Sequence, residues 1–240
     1  MCTLSWIQDN AGYELFFNRD EKLTRKKAKP PQLAEREAVR FLAPTDGDFG
    51  GTWIATNEFG ISICLLNGAN LTGSCGADRQ TARSRGLLLP ELIASPSVAS
   101  VCERVRDTDF TVFAPFTLAV LGPGEPVALA EWDGLTKAVR FQHERCFMLA
   151  SSSFDTQAVR ASREAEFRRI ASGGPLDAKL LAAFHGSHSP SRSAYSTCMH
   201  RADAETVSFS RIRVSAGQAE FYYTPAAPCN RRPGLLLKLP

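Results

Sequence analysis

The chain has 240 residues, of which 44% are hydrophobic and 22% charged, and it carries a formal net charge of +3. That length suits one domain, 1–240, with a substantial core, and the charge is too small to point to nucleic acid or an anionic membrane. No apolar run approaches the roughly 20 residues of a membrane-spanning helix and no basic region leads into an apolar one at the N-terminus, so a cytoplasmic protein is expected.

The opening stretch, MCTLSWIQDNAGYELFFNRDE, reads as a β-hairpin. Residues 2–7 make one strand, Asp9-Asn10-Ala11-Gly12 supplies the turn, and Tyr13 to Phe17 begin the second strand. A turn centred near Asn10 places Cys2 opposite Asn18 and beside Arg19 and Asp20, because opposed side chains of an antiparallel pair stand about 5 Å apart. Removal of Met1 would leave Cys2 with a free α-amine next to its own thiol. An α-amine titrates near pH 8 and can serve as base for that thiol, the logic of an N-terminal nucleophile. Arg19 is expected to lower the thiol pKa, and Asp20 to orient the ammonium or the guanidinium.

Lys22 to Arg40, with its lysines and Pro30-Pro31, reads as a solvated loop. Gly50 to Asn67 reads as a second hairpin: a strand at Thr52 to Thr56, a turn at Asn57-Glu58-Phe59-Gly60, and a strand at Ile61 to Leu66. Residues 68–86 lack periodicity and are expected to form a loop bordering the pocket. Leu87 to Ala94 and Val98 to Val105 read as short helices split by Ser95-Pro96.

From Phe116 the pattern returns to strands: Phe116 to Leu121, Val127 to Trp132, Ala138 to Gln142 and Phe147 to Ala150. Asp155 to Ala171 is expected to be helical, with Val159, Ser162, Phe167 and Ile170 on one face, and a shorter helix runs from Leu176 to Phe184. Thr206 to Val214 and Ala219 to Thr224 form a last hairpin. Strands, helices and strands in that order fit an α+β, four-layer αββα sandwich of two antiparallel sheets covered by helices.

The motifs MCTLSW, Asn18-Arg19-Asp20-Glu21, Gly50-Gly51-Thr52-Trp53-Ile54-Ala55-Thr56-Asn57 and Leu65-Leu66-Asn67 resemble those of the NRDE-motif family, the transport and Golgi organisation family. The resemblance extends to Tyr195-Ser196-Thr197 and Thr206-Val207-Ser208, and it implies an N-terminal nucleophile hydrolase-like fold. The Asn57–Asn67 segment is also similar to that of bile salt hydrolases and penicillin V acylases. In those relatives the matching Asn faces the nucleophile and helps form the oxyanion hole, which gives Asn67 that role here. By the same resemblance Ser151 stands where the acylases carry a second Asn. Arg192 and Arg201 are the candidates for a C-terminal arginine near the nucleophile, and Asn18 and Asn57 are assigned to substrate binding.

The cysteines at 2, 64, 75, 102, 146, 198 and 229 form no CxxC pair and no zinc-like spacing. His185 and His188 could share a cation, but no acidic or Cys partner follows at ligand spacing, so no metal is expected. His200 beside Met199 could ligate haem iron, although no CxxCH sequence is present. These readings make the chain a Cys2 hydrolase of a non-peptide C–N amide or related acyl bond, without a cofactor and acting on a small molecule. The competing reading is a haem or acyl-CoA/lipid binding and trafficking protein on the same scaffold, since one fold hosts many functions.

Overall fold

The computed structural model describes residues 2–68 and 83–239. Met1, Cys75 and most of the loop expected over 68–86 lie outside the described residues.

Strand β1 (Cys2–Gln8) turns into β2 (Gly12–Lys22) through a tight loop. The Asp9 carboxylate accepts from the N–H groups of Ala11 at 2.8 Å and Gly12 at 3.0 Å, and the Asp9 N–H donates to the Gly12 carbonyl at 2.9 Å. Two residues, Asn10 and Ala11, therefore occupy the turn, and its centre lies between them. The register is Cys2 with Arg19 and Thr3 with Asn18, one residue away from the pairing of Cys2 with Asn18 expected from a turn centred on Asn10. A one-residue slip exchanges the faces of the sheet, so this shift decides which side chains join Cys2.

Strand β3 (Lys29–Arg36) and the first two residues of β4 (Val39–Thr45) occupy the region read as a solvated loop. β3 is the edge of its sheet and mostly exposed. An edge strand tolerates Pro30 and Pro31 because its outer N–H groups need no partner, and the register shifts between Lys29 and Gln32. Then follow β5 (Ile54–Asn57) and β6 (Ser62–Asn67), a one-turn helix α1 (Leu89–Leu92) and α2 (Val98–Asp107). Next come β7 (Phe116–Leu121), β8 (Val127–Trp132) and β9 (Lys137–Gln142), which pair in sequence, and β10 (Cys146–Ser151), which leaves that meander and pairs with β1 in the other sheet. Helices α3 (Thr156–Ala171) and α4 (Ala178–His185) precede β11 (Ala204–Ser215), β12 (Gln218–Thr224) and an edge strand, β13 (Leu235–Leu239), that the sequence reading missed.

The strands form two antiparallel sheets, ordered β10-β1-β2-β11-β12-β13 and β3-β4-β5-β6-β7-β8-β9. Alternation gives each sheet an inner and an outer face. Leu4, Trp6, Leu15 and Phe17 of the first sheet meet Ile54, Cys64 and Leu66 of the second in the central core. Each such fully buried large side chain contributes about 1.5–3 kcal/mol. Ile63, Leu65 and Val120 face outward to α1 and α2, with Leu89, Val101 and Val105. On the far side Phe16 packs against Leu181 of α4. The result is the expected four-layer αββα architecture. No helix among the described residues is long and apolar enough to cross a membrane.

Candidate active site

Cys2, at the start of β1, pairs with Arg19 on β2 and with Ser151 on β10, while Arg19 pairs in turn with Ser208 on β11. Opposed residues share a face. The register thus lays Ser151, Cys2, Arg19 and Ser208 in a row across four strands, on the face turned toward the second sheet. Cys2 is 5% exposed, and the Ser151 hydroxyl oxygen is buried with no hydrogen-bond partner.

Arg19 acts on the thiol pKa in the expected direction, downward, but does not set the net shift. Burial dominates and pushes the Cys2 thiol up, while the amino terminus, Arg19 and a hydrogen bond from the Asp20 backbone only partly oppose it. The thiol is held protonated, so it needs a base to react.

Arg19 is fixed by residues of the β4–β5 connection. Its Nη2 lies 2.5 Å from Asp46 Oδ2, and its guanidinium stacks 4.2 Å from the centroid of the Trp53 ring. Asp46 also receives Arg25 at 2.7 Å. Burial would raise the Asp46 carboxyl, but the Phe49 and Asp48 amides with Arg25 and Arg19 hold it below the usual range. Neither Asp46 nor the role of Trp53 was evident in the sequence, although Trp53 belongs to the Gly-Gly-Thr-Trp motif.

Asp20 follows Arg19, so its side chain emerges on the other face. There it forms an ion pair with Arg163 of α3 at 3.0 Å and accepts from the Thr206 hydroxyl at 2.7 Å. Arg163 also donates to Thr3 Oγ1 at 2.6 Å. The buried row of α3 is Val159, Arg163 and Glu166, not the expected row through Ser162 and Ile170. A completely buried arginine inside a charged helix gives no hydrophobic signal, which is why the sequence reading passed over it.

The remaining candidates are not joined to this group by any hydrogen bond found among the described residues. Asn18 donates to the carbonyls of His185 and Thr197 on the helix-covered face. Asn57 donates to Ile93 and Ser95 and accepts from Phe59 and Ile61. Both amides clamp chain segments together instead of facing Cys2. Asn67 pairs with Phe116, whose side chain packs in the outer core, so alternation turns the Asn67 amide away from the inter-sheet face. Arg192 stands beside His200, and Arg201 pairs with Asp203, whereas Arg163 of α3, not among the candidates, hydrogen-bonds to Thr3 of the Cys2 strand.

His185, weighed with His188 as a cation pair, ends α4 and is fully buried. Its Nε2 lies 2.9 Å from Ser5 Oγ, and burial, with Arg163 nearby, pulls its pKa down to about 3. The metal-donor group among the described residues is a different one: His188, Cys198, His200 and Cys229.

A family model described as Transport and Golgi organisation 2 matches residues 1–199. No curated protein matches the chain. Among solved structures, the chain is similar to a Caenorhabditis elegans ortholog of N-acylethanolamine-hydrolyzing acid amidase, with 12% identity, a TM-score of 0.63, and coverage of 98% of this chain and 99% of that one. Penicillin V acylase from Agrobacterium tumefaciens matches with 11% identity and a TM-score of 0.55 over 94% of this chain and 83% of that one. Conjugated bile acid hydrolase from Clostridium perfringens gives 11% identity and a TM-score of 0.54 over 94% and 89%. At these identities the likeness concerns the fold.

Proposed function

Because the chain belongs to the Transport and Golgi organisation 2 family and has an N-terminal nucleophile hydrolase-like fold, we propose that it is a hydrolase of a non-peptide C–N amide or related acyl bond with Cys2 as nucleophile. The observation that carries this reading is the row Ser151–Cys2–Arg19, in which a buried thiol has a cation on one side and a buried, unpartnered hydroxyl on the other.

The active form begins at Cys2. Asp20 follows the Arg19 that opposes Cys2, and its charge and backbone N–H both act on the Cys2 thiol, so its carboxylate is close enough to favour an ammonium on Cys2. The amine takes the thiol proton, and the sulfur attacks the acyl carbon. The oxyanion that forms is stabilised by the Ser151 hydroxyl, which has no competing partner, and by the positive field of Arg19. Collapse breaks the C–N bond, and the ammonium returns its proton to the leaving amine. Water, giving a proton to the α-amine, then attacks the thioester, releasing the acid and restoring the thiol. Arg19, held by Asp46 and Trp53, is a fixed charge that needs no reorganisation. Asn67 is given no oxyanion role in this scheme, because of the face it occupies.

The test is intact mass spectrometry of protein whose first residue is Cys2, mixed with activated acyl esters and chromogenic N-acyl amides. An acyl adduct located on Cys2 that forms and decays with amide turnover is the expected result. A Cys2→Ala variant that turns over the same substrates equally fast would end the proposal.

A further inference from the structure

His188, Cys198, His200 and Cys229 place one donor atom each within 4.8 Å of one another. They come from two stretches remote in sequence: the connection between α4 and β11, which carries His188, Cys198 and His200, and a short 3-10 turn at Pro228–Asn230, which carries Cys229. We propose that these four residues bind a divalent transition metal of the zinc class as a four-coordinate His2Cys2 site.

The spacing fits the chemistry. A tetrahedral ion with Zn–N near 2.0–2.1 Å and Zn–S near 2.3 Å sets its nitrogen and sulfur donors about 3.5 Å apart. His200 Nε2 lies 3.5 Å from Cys198 Sγ and 3.4 Å from Cys229 Sγ, so two edges of the tetrahedron are already formed. The His188 ring meets the His200 ring at a centroid distance of 5.2 Å, and its Nε2 is buried without a hydrogen-bond partner. Thiolates and imidazoles together select a borderline-soft ion over magnesium or calcium. Two thiolates and one dication leave the site neutral, which suits a place where Cys198 is completely buried; the two thiol protons go to solvent as the metal binds.

A supporting contact stands behind one ligand. With a metal on His200 Nε2 the ring proton sits on Nδ1, which faces the Glu205 carboxylate at 3.7 Å and Arg192 Nη2 at 3.4 Å. Of these only Glu205 accepts that proton, the pattern of a carboxylate behind a metal-bound histidine. Met199, between two ligands, accepts from the Thr206 N–H and donates its own to Thr206 Oγ1, which donates to Asp20. The ion would therefore fasten the C-terminal 3-10 turn to the segment that braces Asp20, and its role is structural.

The test uses the full chain, free of affinity tags and with its thiols reduced. Elemental analysis after growth with zinc should give one zinc per chain. Exchange for cobalt(II) should give the intense visible bands of a four-coordinate ion with a near-ultraviolet thiolate charge-transfer band. Cys198→Ser and Cys229→Ser should each weaken that band, whereas Cys146→Ser should leave it unchanged. If a serine variant fails to fold, the native protein still decides: zinc should slow N-ethylmaleimide labelling of the half-buried Cys229, and a chelator should restore it. The proposal is overturned by a reduced protein that holds no zinc and gives only the weak spectrum of six-coordinate cobalt. It is equally overturned by a Cys198–Cys229 disulfide, seen as the loss of two hydrogens in the mass, that persists under reducing purification.

Discussion

Asp20 Oδ2 and Arg163 Nη2 stand 3.0 Å apart, and neither side chain is exposed to solvent. The pair joins β2 to α3 directly beneath the Cys2 strand. Removing one partner strands a buried charge, a loss of about 3–5 kcal/mol. Denaturant unfolding of Arg163→Met should show a loss of that size. The double variant Asp20→Asn with Arg163→Met should recover much of it, since both charges are then gone. Equal stability of the single and double variants would show that the two side chains are not coupled.

The Ser151 hydroxyl separates stability from catalysis. It has no hydrogen-bond partner among the described residues, so Ser151→Ala should change unfolding free energy by less than about 1 kcal/mol. If it donates to the oxyanion, the same change should slow acylation of Cys2 by about 100-fold or more. Stopped-flow acylation beside thermal unfolding measures both; an unchanged rate removes Ser151 from the site.

Burial holds the Cys2 thiol above its ordinary value, and thiolate, not thiol, reacts with iodoacetamide. Labelling of Cys2 should therefore keep climbing with pH through the range where an exposed thiol levels off. Arg19→Leu removes a favourable charge and should slow it further at each pH. Peptide mapping of alkylated protein reads this out. Linkage runs the same way: a thiol raised in the folded state supports stability below the unfolded thiol range and loses that support as the solution becomes more alkaline.

His185 gives the opposite pH signature. Its folded pKa, about 3, lies below the unfolded value near 6.5. Between those values the unfolded chain binds a proton that the folded chain does not, so stability falls as pH drops from about 6.5 toward 3, with a limiting slope of about 1.4 kcal/mol per pH unit. His185→Gln, which keeps a polar group opposite Ser5, should flatten that part of the curve. Urea unfolding at pH 4, 5, 6 and 7 for both proteins checks it.

Arg19 combines an ion pair to Asp46 with stacking on Trp53. A lysine keeps the charge but lacks the planar fork and the flat face. Arg19→Lys should therefore leave turnover well below the native rate, and Trp53→Leu should lower it too. An Arg19→Lys variant that matches the native protein in the proposed reaction would reduce the residue to a charge alone.

Much of this protein was legible in its sequence because the signals are local. The strands Phe116–Leu121 and Val127–Trp132 carry their pattern in adjacent residues and appear as expected. The NRDE and Gly-Gly-Thr-Trp motifs implied the fold, and the first hairpin placed Arg19 beside Cys2. Edge strands were lost: β3 and β13 are mostly exposed and lack an apolar face that contrasts with a polar one.

The turn centre was the point at which local reasoning failed. A loop of Asn10 and Ala11 shifts the pairing by one residue, and because side chains alternate, that shift puts Arg19 on the face of Cys2 and sends Asp20 to Arg163, while the separate pairing of β1 with β10 sets Ser151 beside Cys2. Sequence spacing could not reveal Arg163 under Asp20, Asp46 on Arg19, or Cys229 beside Cys198 and His200, because each contact joins segments brought together only by the stacking of the layers. Residue types and their local order determined which strands and helices form; the register of one hairpin and the packing of helices on the sheets decided which chemical groups meet.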